Sequence, residues 1–117
     1  MTATFLMLIL TLSDGGLSAA FVNTQTQEEC ERRALLVRTI LQSGSAPIER
    51  LECLPSHSHF EPFKHGVTEH QPVHRYVVRV ESGRVSVERL AVGEPCRDEG
   101  GSIYCVTSRQ KLLAPES

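Results

Sequence analysis

His57, His59, His65, His70 and His74 all fall between residues 57 and 74. Imidazole is the commonest transition-metal ligand and the one side chain that titrates unaided near neutral pH. In an extended segment His57 and His59 point to the same side, because successive side chains alternate. With His65 they form a candidate Zn, Cu or Ni site. His70 and His74 have the i,i+4 spacing of a helical ligand pair, but Pro72 between them opposes a helix there. The plainer reading is a solvated loop, or one that responds to pH. No cofactor is expected unless the metal site forms.

Four cysteines, Cys30, Cys53, Cys96 and Cys105, permit three disulfide pairings. None forms the close CxxC pair usual in four-cysteine zinc sites. Cys53 with His57 or His59 could be drawn as a nucleophile and base, which would make a small hydrolase or redox protein. No third group or oxyanion site accompanies them. The Asp98-Glu99 carboxylates precede Gly100-Gly101 and read as turn chemistry. There is no GxSxG, no P-loop and no GxGxxG in a βαβ setting. The expectation is therefore a protein that is not an enzyme.

Two groups of residues suit recognition. Arg75 and Arg79 share a face of a predicted strand around Tyr76, with Arg84 and Arg89 on the next strand. They could meet an acidic protein or a phosphate backbone, or simply pair with Glu81 and Glu88. Phe60 and Phe63 are two of the four phenylalanines, in the loop Phe60-Glu61-Pro62-Phe63. Aromatics there either anchor the loop to the core or meet a partner.

These residues need a frame, and 117 residues supply one domain with a thin core. With no tryptophan and 5% aromatics, that core is expected to be aliphatic. A net charge of −2 argues against a general nucleic-acid binder. No run approaches the roughly 20 apolar residues that span a bilayer.

Residues 1–22 have two readings. Thr4 to Leu12 and Leu17 to Val22 make a β-hairpin about Asp14-Gly15-Gly16. Alternatively, residues 1–20 form a signal peptide with an apolar Phe5–Leu12 core and a small-residue site at Ser18-Ala19-Ala20. No positive charge precedes that core. A hairpin is compatible with a cytoplasmic protein. A signal peptide implies a periplasmic or secreted one with disulfides.

Thr26 and Glu29 have capping-box spacing, and Glu28, Glu29 and Glu31 suit a helix N-terminus. Cys30, Ala34, Val37 and Leu41 recur at helical spacing, widened by Leu36 and Ile40. A helix over 27–43 follows, stopped by Gly44 and Pro47. Ile48 to Leu54 reads as a strand. If it packs beneath the helix, Cys30 pairs with Cys53, leaving Cys96 and Cys105 to close a local turn. Pro55 to Val73 reads as a long His- and Pro-rich loop. His74 to Glu81 and Arg84 to Leu90 form a second hairpin about Ser82-Gly83. Ile103 to Thr107 is a short strand, and 108–117 a frayed polar tail.

The expected fold is a small α+β domain: an antiparallel sheet in the order β-β-α-β, long loop, β-β-β, with one helix on one face. The expected function is that of an accessory or partner-binding protein, whose contacts are Phe60, Phe63, Arg75, Tyr76 and Arg79. Its partner would be another protein, with an acidic one the specific case. The alternative is a secreted or periplasmic metal-binding protein using His57, His59 and His65.

Overall fold

The computed structural model describes residues 4–13, 16–44, 47–61 and 73–113. Strands β1 (Thr4–Ser13) and β2 (Gly16–Thr24) form the N-terminal hairpin, paired from Phe5–Thr24 to Ser13–Gly16. Helix α1 (Gln27–Gln42) and strand β3 (Ile48–Ser56) follow. Strands β4 (His74–Glu81), β5 (Arg84–Arg89) and β6 (Ile103–Ser108) complete a six-stranded sheet in the order β3-β1-β2-β6-β4-β5. The fold is α+β with one helix, as the residue pattern predicts. The expected antiparallel sheet is instead mixed, because β2 and β6 run parallel, joined at Leu17–Val106 and Ser18–Thr107. Nothing local in the sequence announces that joint. It forms between segments almost ninety positions apart.

Strand alternation sends Leu6, Leu8 and Leu10 to one side of β1 and Met7 and Ile9 to the other, and all five are buried. That explains the unbroken apolar run: β1 has another strand on each side and packing on both faces. On the first face the sheet curls, so that its edges β3 and β5 approach each other. Inside the curl lie Leu6, Leu8, Leu10, Phe21, Tyr76, Val78, Val85, Val87, Tyr104 and Val106. Arg50 reaches from β3 to the Gly101 carbonyl at 2.9 Å and the Tyr104 hydroxyl at 3.0 Å. It also pairs with Glu52 at 2.8 Å. Burial works against the Arg50 charge, but the Tyr104 and Glu52 contacts offset it and leave its pKa above the usual value.

On the opposite face α1 lies over β1, β2 and β3. Thr26 caps it, its Oγ1 accepting from the Glu29 N–H at 3.1 Å, while Glu29 Oε1 accepts from the Gln25 N–H. Cys30, Ala34, Val37 and Leu41 pack on Met7, Ile9, Ala20, Val22, Leu51 and Cys53. The Cys30–Cys53 disulfide ties helix to strand across a 6.0 Å Cα separation, and Cys96–Cys105 closes the local loop.

Three further expectations need correction. Leu36 and Ile40 do not widen the buried stripe, because α1 sits on β-structure along one narrow line and both remain about two-thirds exposed. Pro55 and Ser56 belong to β3 and not to the loop; an edge strand tolerates a missing N–H. The C-terminal segment is held rather than frayed as far as Leu113. Gln110 is buried, and Leu113 N–H donates to the His59 carbonyl at 2.8 Å.

Candidate binding surface on the helix

The second hairpin forms as expected, with Val78 opposite Val87 and Val80 opposite Val85. Its apolar face, however, points into the curl. Tyr76 is fully buried there, its hydroxyl donating to the Gln110 carbonyl at 2.7 Å and accepting from the Leu112 N–H at 2.9 Å. Burial pushes its phenol pKa up. Tyr76 is thus a core residue and not a contact residue, because strand alternation places it opposite Arg75 and Arg79.

Those arginines lie on the outer face and are engaged within the chain. Arg79 pairs with Glu88 at 2.7 Å, and Arg75 donates to the Glu94 carbonyl at 3.0 Å. Arg84 and Arg89 donate to His57 and His74, at 3.3 Å and 3.1 Å. Burial, then the Arg89 charge, lowers the His74 pKa. Phe60 is an anchor and not an exposed contact. It stacks on Phe21 with centroids 3.9 Å apart and meets Tyr76 edge-on. Phe63 lies outside the described residues.

His57 and His59 are both exposed, and His57 faces the Arg84 guanidinium, which does not favour a cation. His65, the third member of the predicted metal set, lies outside the described residues, as does His70. Among the described residues no three His, Cys, Asp or Glu side chains come together as a metal site. All four cysteines are in disulfides, so Cys53 offers no thiol to act as a nucleophile. Asp98 accepts from the Cys105 N–H at 2.7 Å and holds its turn.

The surface that stands out is elsewhere. Leu35, Leu36 and Ile40 are 69%, 66% and 68% exposed on α1. Leu36 and Ile40 are four apart and share a face. Around them the helix carries Arg32, Arg33 and Arg38, and it has no carboxylate after Glu31. Beside this crest runs a groove of about 710 Å³ between α1 and β2, lined by Ile9, Ala20, Val22, Val37, Ile40 and Leu41. Asn23, Arg33, Phe60 and Glu61 border the same groove. The signal for the crest was in the sequence: seven apolar residues in a sixteen-residue helix are more than one line of contact can bury.

No described helix is long and apolar enough to cross a membrane. In comparison with known proteins, the chain matches no family model, no curated protein and no solved structure, so the reading of its function rests on this surface.

Proposed function

We propose that this is a small, disulfide-stapled, non-enzymatic partner-binding protein whose contact surface is the crest of α1. The observation that carries the reading is the cluster Leu35, Leu36 and Ile40, three large aliphatic side chains left in solvent on one helix. Large exposed apolar side chains on one helix face mark interaction sites, and helices commonly present i, i+4 anchors to a partner, as Leu36 and Ile40 do here. Scattered exposed residues such as Val92 need no such account. The partner is another protein. Arg33 and Arg38, which have no described carboxylate partner, with no acidic residue in the second half of the helix, favour one with acidic residues around an apolar patch. Two disulfides suit an oxidising compartment, periplasmic or extracellular.

The test is affinity enrichment from the native organism with three baits: wild type, a Leu35→Glu/Leu36→Glu variant, and Ser86→Glu as a control on the far sheet face. Thermal unfolding of each bait establishes that it is folded. The expected result is a protein enriched by the wild type and by Ser86→Glu but lost with the double variant. Equal recovery by all three baits sinks the reading.

A further inference from the structure

We infer that the groove between α1 and β2 is a binding site for a single-chain anionic amphiphile, with its acyl chain along β2 and its head at Arg33. The site adjoins the helix crest and shares Ile40 and Arg33 with it, but neither Leu35 nor Leu36 lines it.

The groove owes its depth to small residues. Ser18, Ala20 and Val22 face outward along β2, and their low side chains leave a trough beside Val37 and Leu41 of α1. Ser18 to Val22 extends about 13 Å at strand rise. The groove runs along α1 from Arg33 to Leu41, about 12 Å at helix rise, and a second hollow of about 340 Å³ shares Ile9, Ala20 and Leu41 with it as walls. Ligand sites are typically about 300–1,000 Å³, mostly apolar, with a few polar groups that orient the ligand. An elongated apolar trough with polar groups at its ends fits an acyl chain.

The polar groups near the Phe60 end select the head. Both ends of the Asn23 amide are used, Nδ2 donating to the Ser58 carbonyl and Oδ1 accepting from the Phe60 N–H, each at 2.8 Å. Glu61 has its Oε1 accepting from the Lys111 N–H at 3.2 Å; its charge opposes an anionic head, so selection of the anion falls to Arg33 alone. Arg33 makes no ion pair with any described residue, whereas Arg32, Arg50 and Arg79 each have a carboxylate. A guanidinium with its donors uncommitted beside an apolar trough is complementary to a carboxylate or phosphate head.

The test is calorimetric titration with sodium dodecanoate and with dodecyltrimethylammonium, both below their micelle concentrations. Wild type should bind dodecanoate saturably and at least about tenfold more tightly than the cation, the size of effect one charge-assisted contact gives. Arg33→Glu should reverse that preference, and Ala20→Trp should abolish binding of both. Arg33 is on the surface, so its variant tests the site even if the tryptophan variant does not fold. No saturable dodecanoate binding overturns the inference, as does equal affinity for the two ions or indifference to the Arg33 change. Occupation by a second copy would instead give concentration-dependent sedimentation without dodecanoate binding, and that also overturns it. The enrichment experiment on the helix crest is unaffected by either outcome.

Discussion

At the scale of single residues, the parallel joint between β2 and β6 is too short to explain how the two halves of the sheet stay together. Gln110 supplies what the backbone does not. Just past the end of β6, its Oε1 accepts from the Phe21 N–H and its Nε2 donates to the Phe21 carbonyl, each at 2.8 Å. The side-chain amide thus stands where a further strand residue would have stood. Nε2 also donates to the Glu61 carbonyl at 3.0 Å, fastening the segment before the long loop to the same point. Gln110→Ala would leave the buried Phe21 amide and two carbonyls without partners. Stability should fall by about 2–4 kcal/mol, since each unsatisfied buried group costs about 1–3 kcal/mol and solvent recovers part of it. Urea unfolding of the oxidised protein measures this. A loss below about 0.5 kcal/mol would show that β2 and β6 hold without the glutamine. A polar residue in a polar tail gives no sequence signal of this role, because the role depends on a pairing ninety residues away.

At the scale of elements, what could be read in the sequence was what is encoded locally. The helix was legible because Thr26 and Glu29 mark its start and the Cys30-Ala34-Val37-Leu41 spacing marks its buried side. The second hairpin was legible because Ser82-Gly83 separates two alternating runs. Its turn has positive φ at both central residues, 54° at Ser82 and 73° at Gly83, the two-residue geometry that matches strand twist. Glycine takes that conformation freely, whereas serine bears a cost that asparagine largely avoids. Ser82→Asn should therefore stabilise the protein by about 0.5–1 kcal/mol, read as a rise in the denaturant midpoint with an unchanged slope. A fall would mean that the turn is not built this way. The candidate sites were less legible for the same physical reason. Alternation told which residues share a face of the hairpin but not which face is inside, and the curl of the sheet decided that against Tyr76. Helical spacing likewise gave the amphipathic stripe but not its buried width, which depends on how α1 seats on β1 to β3.

At the scale of the whole molecule, the N-terminal hairpin and the two disulfides are parts of one construction, although in the sequence they read as alternatives. β1 lies between β2 and β3, and its buried residues serve both faces: Leu6, Leu8 and Leu10 inside the curl, Met7 and Ile9 beneath α1. A chain lacking residues 1–20 would lose all of β1 and half of β2. The Cys30–Cys53 link would then join a helix to a strand with no sheet between them. Fully burying one such side chain is worth about 1.5–3 kcal/mol, so the five on β1 alone represent more than the net stability of many small domains. The link itself, closing a separation of 23 residues, supplies only about 3 kcal/mol. It cannot replace the strand. The truncated, oxidised chain should therefore show no cooperative thermal transition and little β-sheet circular dichroism, while the full oxidised chain unfolds in one step. A folded, cooperative truncation product would require a sheet organised without β1, with β2 and β3 meeting directly, and would overturn the architecture on which both proposed binding surfaces depend.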